Sequence, residues 1–128
     1  MSASPYVMDS SIWVSFFQGS NAIHKLVIKP LREGRIIVPS ICLYEVALAI
    51  ERRIGEDQVK IVIANMREQV IDELTATRAL AAAYVRKERK MAMADAIVYA
   101  TTVAHDATLI THDRDFEGLP NVMYLKAT

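Results

Sequence analysis

Covalent cross-links, flexible linkers and long apolar runs are all scarce in this sequence. A single cysteine, Cys42, cannot form an internal disulfide. Four glycines and four prolines among 128 residues, of which 52% are hydrophobic, argue against a disordered or low-complexity chain. No apolar run approaches the ~20 residues that span a bilayer, and no charged N-terminal segment precedes a hydrophobic one. We therefore expect a cytoplasmic protein with no membrane partner.

An excess of charge of either sign is also absent. The 15 Lys and Arg residues balance 15 Asp and Glu residues, so the net charge favours neither nucleic acid nor membrane as a partner. Any such preference must arise from local clustering. The length suits one domain, spanning residues 1–128, that buries roughly two-thirds of the surface its unfolded chain exposes. Cys42 lies in an apolar stretch, which favours a buried, inert thiol over a reactive one.

Short apolar runs alternate with amphipathic segments along the chain. The runs predict strands at 6–8, 35–38, 69–74, 108–111 and 121–124. Capping residues predict helices that begin at Ser10 or Ser11, at Ser20 or Asn21, after Pro39 and Ser40, at Asp57, and at Thr75 or Thr77. An Ala-rich apolar segment predicts a sixth helix from Met91 to Ala104. Pro30 is expected to end or kink the second helix. Strands that alternate with helices predict an α/β fold of three layers, α/β/α, with a mostly parallel central sheet.

Four acidic residues, Asp9, Glu45, Asp95 and Asp113, each follow a short apolar run or lie on an amphipathic helix. Side chains that follow parallel strands meet beyond the carboxyl edge of a sheet, so we expect Asp9 and Asp113 to converge. At an effective dielectric constant of ~20, two carboxylates ~4 Å apart repel by about 4 kcal/mol, so a cluster must take up protons or hold a cation. Mg²⁺ and Mn²⁺ favour such oxygen ligands. The sequence therefore predicts a divalent-metal site.

Each acid also has a purely structural interpretation. Asp9 can cap the first helix, and Glu45 can be a solvated residue on its helix. Asp95 can be an acid favoured by a helix N-terminus. The histidines His105 and His112 are expected to be surface or hydrogen-bonded residues, because an oxygen-rich site does not need imidazole ligands.

A basic run at residues 86–90 supplies four cations just before Asp95. One interpretation is a solvated helix end. The other is a phosphate-binding rim, because Lys and Arg contacts supply most of the sequence-independent affinity for nucleic acid. The candidate residues for binding a nucleic-acid backbone are Lys87, Arg89, Lys90 and Arg114.

Four segments of the chain follow one another in a diagnostic order. They are Val7-Met8-Asp9-Ser10-Ser11, Pro39-Ser40 with Glu45 after it, Ala94-Asp95-Ala96-Ile97-Val98-Tyr99-Ala100, and Leu109-Ile110-Thr111-His112-Asp113-Arg114-Asp115-Phe116. In this order they resemble the PIN-domain ribonucleases, and among these the VapC-type toxins of type II toxin–antitoxin pairs. The resemblance spans nearly the whole chain and implies a PIN-like fold.

The resemblance also implies roles for particular residues. The metal-binding and catalytic acids would be Asp9, Glu45, Asp95 and Asp113. Asp113 is expected to lie closer to the metal than Asp115, the other acid of the same segment. The hydroxyl residues that support the acids would be Ser10 and Thr111.

The function implied by the resemblance is hydrolysis of RNA phosphodiester bonds by an endoribonuclease that depends on Mg²⁺ or Mn²⁺. The implied partners are RNA, a small antitoxin protein and a second copy of the chain. A non-catalytic PIN-like protein is the first alternative. A receiver-like signalling module is the second, but it would need paired acids after the first strand and a Lys near the last. A dehalogenase-type phosphatase would need a second Asp where Ser11 stands.

Overall fold

The computed structural model describes residues 4–127, whose five strands form one parallel sheet. The strands lie in the order β3-β2-β1-β4-β5, and every neighbouring pair is parallel. Parallel strands need a crossover between them, and helices provide it here. The strands are β1 (Tyr6–Met8), β2 (Ile36–Pro39), β3 (Val70–Asp72), β4 (Thr108–Thr111) and β5 (Val122–Tyr124).

Six helices and one short 3₁₀ turn complete the described fold. They form the outer layers of a three-layer α/β/α arrangement, so the predicted fold class is confirmed. The helices are α1 (Ser10–Phe17), α2 (Asn21–Arg32), α3 (Ser40–Arg53), α4 (Glu56–Met66), α5 (Ala76–Arg89) and α6 (Met93–Ala104), and the 3₁₀ turn is Arg114–Phe116.

The core lies on both faces of the central strands. All four residues of β2 are buried, and Val7, Met8, Leu109 and Ile110 are almost fully shielded. Strands covered on both faces read as continuous apolar runs, which is why these short segments were recognisable in the sequence. Within residues 4–127, every helix is too short or too polar to span a bilayer.

Two predicted caps were wrong because tertiary contacts use the hydroxyl groups. Helix α1 begins at Ser10, so Asp9 takes the cap position, although its side chain makes no capping hydrogen bond. Pro39 is the last residue of β2 rather than part of a turn, because its extended backbone continues the strand. Ser40 opens α3 without capping it, and its Oγ accepts a hydrogen bond from the Leu74 N–H at 3.2 Å.

Other predicted boundaries moved by one to three residues. Pro30 is buried inside α2, and the helix continues to Arg32. Lys90 has φ 57°, a left-handed backbone that ends α5, so α6 begins at Met93 rather than Met91. The third strand is confined to 70–72. The predicted cap at Thr75 is confirmed, since its Oγ1 accepts a hydrogen bond from Arg78 N–H at 3.1 Å.

Candidate functional site

The predicted acids at two strand ends do lie at one edge of the sheet. Strands β1 and β4 pair with Met8 beside Ile110, and the Asp9 N–H continues the ladder by donating to the Ile110 carbonyl at 3.0 Å. Asp9 therefore leaves β1 next to the point where Thr111 ends β4. Asp113 follows two residues later.

Thr111 joins these two acids. Its Oγ1 donates to Asp9 Oδ2 at 2.7 Å and accepts the Asp113 backbone N–H at 2.9 Å. Ser11 Oγ also donates to Asp9 Oδ2, at 3.2 Å. Thr111 is fully buried and Asp9 nearly so, so these hydrogen bonds fix the Asp9 carboxylate in place. A simple capping role for Asp9 is wrong, because its carboxylate is held by Thr111 and Ser11 instead.

Glu45 reaches the site from α3. Ser10 Oγ donates to Glu45 Oε1 at 2.6 Å and so ties the start of α1 to the second turn of α3. Burial raises the pKa of Glu45, and the nearby charges of Asp9 and Asp113 raise it further, while the Ser10 hydrogen bond opposes them. Glu45 is therefore a partly buried member of the acidic group rather than a solvated residue.

Asp95, Asp113 and Asp115 form the tightest part of the site. Each offers one carboxylate oxygen, and these oxygens lie within 4.8 Å of one another. Asp95 lies in the first turn of α6. Asp113 Oδ1 also accepts the Asp115 N–H at 2.9 Å and so caps the 3₁₀ turn that carries Asp115. The structure thus places both acids of the segment beside Asp95, and their predicted ranking stays a prediction.

Burial first, and repulsion by neighbouring carboxylates second, raise the pKa values of Asp9, Glu45 and Asp95. Burial raises the pKa of Asp95 to about 7, together with the charges of Asp113, Asp9, Asp115 and Glu45 in that order. Burial also raises the pKa of Asp9, although its Thr111 and Ser11 hydrogen bonds oppose the shift. The charged forms of Asp9, Glu45 and Asp95 are therefore disfavoured, and the charges of Asp113 and Asp115 contribute to this at Asp95.

The oxygen-only donors of this group suit a hard divalent cation. A cation would relieve the repulsion that otherwise holds protons on the acids. Neither histidine near these elements belongs to the group. His112 Nδ1 hydrogen-bonds the Leu125 carbonyl at 2.7 Å and His105 Nε2 hydrogen-bonds Asp72 at 2.6 Å, which confirms that both are hydrogen-bonded residues.

Ser11 is a site residue that was predicted from the sequence only to cap a helix. Its Oγ donates to Asp9 and accepts the His112 N–H at 3.2 Å, so it links α1 to the loop after β4. The available signal was its position two residues after Asp9. Cys42 is buried as predicted, and burial followed by the charge of Asp9 raises the pKa of its thiol.

The candidate RNA-binding cations are exposed around the end of α5 and the 3₁₀ turn. Lys87 and Lys90 are exposed, and Arg114 stands between two acids of the site. The Arg89 guanidinium lies over the Tyr99 ring, 5.3 Å from its centroid. A role in RNA binding stays a prediction for all four residues.

Solved structures of similar fold include several toxin–antitoxin proteins. A chain of a toxin–antitoxin complex from Klebsiella pneumoniae is 23% identical, with a TM-score of 0.74 over 92% of this chain and 95% of that one. VapBC2 from Rickettsia felis, bound to a fragment of its promoter DNA, matches at 17% identity and a TM-score of 0.73, over 94% and 96% of the two chains. VapC20 from Mycobacterium tuberculosis, a sarcin–ricin loop cleaving toxin, matches at 17% identity and a TM-score of 0.64, over 88% of this chain and 91% of that one.

At these identities the structural likeness establishes a common fold. A comparison with curated proteins found no match. The family model for the PIN domain matches residues 6–121, which include every acid of the site. Because that match covers most of the sequence, the chain belongs to the PIN domain family.

Proposed function

We propose that this protein is a divalent-metal-dependent endoribonuclease and the toxin of a toxin–antitoxin pair. The observation that carries the proposal is the convergence of Asp95, Asp113 and Asp115, with Asp9 and Glu45 close enough to raise the pKa of Asp95. Five acids without a neutralising cation are an unfavourable arrangement, and the fold nevertheless builds it with dedicated hydrogen bonds. Such an arrangement is typical of a functional site rather than a structural one.

Mg²⁺ or Mn²⁺ fits the donors, because both prefer carboxylate oxygen. Asp95, Asp113 and Asp115 would hold it most directly, and Asp9 and Glu45 would complete the site. When bound, the cation supplies a Lewis acid that activates water and offsets charge on the phosphate.

The chain's own residues orient the acids. Thr111 holds Asp9 in the direction set by its 2.7 Å hydrogen bond, and Ser10 holds Glu45 in the same way at 2.6 Å. Neither hydroxyl can donate to a ligand without releasing its carboxylate. Ser10 and Thr111 therefore act as positioning residues, as the sequence resemblance implies.

The similar structures support the choice of substrate and partner. VapC20 is described as cleaving the sarcin–ricin loop, which is RNA, and the other two are described as complexes with an antitoxin or as VapBC. We accordingly propose an RNA substrate, a cognate antitoxin and a homodimer for this chain, acting in the cytoplasm.

The sheet order argues against the receiver-like alternative. Receiver domains share the flavodoxin-like order 2-1-3-4-5, whereas the order here is 3-2-1-4-5. The non-catalytic alternative is separated from the enzyme by experiment.

Asp95→Asn should abolish RNA cleavage in Mg²⁺ or Mn²⁺ while the protein remains folded. Asp57→Asn, an exposed acid on α4, serves as the matched control. The measurement is the rate of cleavage of a labelled RNA, with circular dichroism to check folding. Equal cleavage by both variants, or cleavage that persists in EDTA, would refute the proposed mechanism, and no cleavage by the wild type would favour the non-catalytic alternative.

A further inference from the structure

A cleft of about 420 Å³, with both polar and apolar lining residues, lies between α1 and α3. We name it the α1–α3 cleft. Ser10, whose hydroxyl donates to Glu45, is part of its lining, so one end of the cleft adjoins the acids. Its other lining residues include Ser11, Ser15, Gln18, Ala49, Arg53 and His112.

The two helices face this cleft with regular stripes of residues. On α3, Glu45, Ala49 and Arg53 recur every four positions and so share one face of the helix. At ~1.5 Å per residue, Arg53 lies ~12 Å along the helix axis from Glu45. The small side chain of Ala49 leaves the space between them open. Ser11 and Ser15 form the matching stripe on α1.

Most polar groups of the cleft are already committed to one another. The His112 Nδ1 must carry a proton to donate to the Leu125 carbonyl at 2.7 Å, so the Nε2 of a neutral ring accepts from Ser15 Oγ at 3.1 Å. Ser11 Oγ bonds Asp9 and the His112 N–H. The hydroxyl protons of Ser11 and Ser15 and the Nδ1 proton of His112 are therefore all in use, so these side chains have no donor left for a phosphate.

Arg53 and Gln18 are the uncommitted groups of the α1–α3 cleft. Within the described range 4–127, neither side chain makes a hydrogen bond, and Arg53 makes no ion pair. Arg53 presents a guanidinium, which can bind a phosphate through two parallel hydrogen bonds. Gln18 presents an amide that both donates and accepts, as a base edge or ribose requires.

A second cleft of about 680 Å³ continues from the first and shares Ser15, Gln18 and His112 with it. Lys126 is part of its lining. The combined track therefore begins at Ser10, the hydrogen-bond donor to Glu45, includes Arg53, and reaches a second cation, Lys126. A polyanionic strand bound across the acids would find positive charge on this side, which offsets its repulsion from the site.

We propose that the α1–α3 cleft binds the RNA strand flanking the scissile phosphate, with Arg53 holding a backbone phosphate and Gln18 contacting a base or ribose. This inference rests on the proposed ribonuclease function. It places the substrate track on the α1 side of the acids, whereas the basic run 86–90 precedes α6. The experiment distinguishes RNA from a protein occupant.

The test compares Arg53→Gln with Arg52→Gln, its exposed neighbour on α3 that does not line the cleft. Binding of a fluorescent single-stranded RNA is measured by anisotropy at several salt concentrations, in an Asp95→Asn background that prevents cleavage. Arg53→Gln should weaken binding several-fold and lower the salt slope by roughly 0.7, the value for one lost phosphate contact. Arg52→Gln should change neither. Gln18→Lys should raise the slope by a similar amount.

Cleavage by the otherwise wild-type enzyme supplies the second readout. Arg53→Gln should raise KM with little change in kcat, because the contact lies away from the reacting atoms. Identical slopes and KM values for the two arginine variants, in an enzyme that cleaves RNA, overturn the cleft proposal and leave the proposed function standing. Slopes that differ as expected in a protein that cleaves nothing support the cleft and refute the nuclease.

The oligomeric state separates a protein occupant from RNA. Sedimentation velocity should give the same mass for the wild type, Arg53→Gln and Arg52→Gln. A mass reduced only by Arg53→Gln, together with an unchanged salt slope, would make the cleft an interface between copies of the chain and overturn the proposal.

Discussion

Thr111 is the residue on which the geometry of the acidic site depends most directly. One hydroxyl serves two acids from different elements, since it donates to Asp9 after β1 and accepts from the Asp113 backbone after β4. Valine has nearly the same shape but can do neither. The buried Asp9 carboxylate and the Asp113 N–H would then each lose a partner.

Thr111→Val should lower the free energy of unfolding by roughly 1–3 kcal/mol, the typical cost of leaving a buried polar group unsatisfied. It should also reduce cleavage, because Asp9 loses the hydrogen bond that orients it. Urea denaturation measures the stability, and Thr111→Ser, which keeps the hydroxyl, is the control. If valine and serine proved equally stable and active, the hydroxyl would have no positioning role.

The raised pKa of Asp95 predicts that the stability of the metal-free protein depends on pH. Its folded-state pKa of about 7 lies above the ordinary value of 3.8, so the folded protein holds this proton more tightly than the unfolded chain does. The stabilising contribution is fully present below pH ~3.8 and is lost as the pH rises through about 7. Thermal melting in EDTA should therefore show a decline between these values that is smaller in Asp95→Asn. A decline of equal size in the variant would contradict the assignment.

The sequence alone pointed to the acids of the site because each of them follows a short apolar run or lies on an amphipathic helix. It could not give their separations, which depend on how α3 and α6 cross the sheet edge. Ser11 illustrates the limit. Its spacing from Asp9 allowed a capping role, and only the tertiary contact with His112 reveals the role it has.

At the scale of elements, Asp72 joins three segments of the chain. Its carboxylate accepts from Arg78 Nε and a terminal guanidinium nitrogen at 2.9 and 3.0 Å, and from His105 Nε2 at 2.6 Å. Strand β3 is thereby tied to the first turn of α5 and to the end of α6. Burial favours a higher pKa for Asp72, but the hydrogen bonds from Arg78 and His105 outweigh it and hold the pKa below 3.8.

Arg78→Gln should destabilise the fold by roughly 1–3 kcal/mol, because the partly buried Asp72 carboxylate loses two charge-assisted hydrogen bonds. Since the Asp72 pKa is lowered by folding, its contribution is present above the ordinary pKa and is lost as the pH falls through the folded value. The variant should therefore lose less stability on acidification below pH ~4 than the wild type does. Denaturation with urea at pH 7 and pH 3 measures both effects, and Arg67→Gln, an exposed change on the surface, provides the baseline.

The helix boundaries show where local sequence rules fail to predict the cap, because tertiary contacts use the capping hydroxyl. Thr75 caps α5 as predicted because, among residues 4–127, its hydroxyl has no competing tertiary partner. Ser10 and Ser40 follow the same local rule, yet Ser10 bonds Glu45 and Ser40 bonds the Leu74 N–H. A capping residue can be recognised from sequence, but its availability for capping depends on contacts that are remote in the chain.

For the whole molecule, metal binding should raise the stability of the folded state, and this can be measured as a rise in Tm. A ligand that binds only the folded state stabilises it by about 2.7 kcal/mol at a hundredfold excess over Kd. Mg²⁺ or Mn²⁺ should therefore raise the Tm of the wild type, and much less that of Asp113→Asn. Asp115→Asn is expected to retain more of the shift. Calorimetric melting with and without metal measures all three, and a larger loss with Asp115→Asn would reverse the ranking of the two acids.

The architecture was predictable because strands and helices alternate so regularly. The strand order was not, since nothing local places β1 between β2 and β4. That placement is what brings Asp9 beside the end of β4. That residues 1–128 form a single domain also stays a prediction.

Cys42 gives the molecule a built-in chemical reporter of motion at the acidic site. It is the sole thiol of the sequence, it is fully buried on α3, and the charges of Asp9 and Glu45 reach it. A thiol reagent can attack it only during moments when α3 separates from the sheet, so the labelling rate of the native protein counts those openings. The rate of these local openings can thus be measured by mass spectrometry of the labelled protein, without any engineered probe.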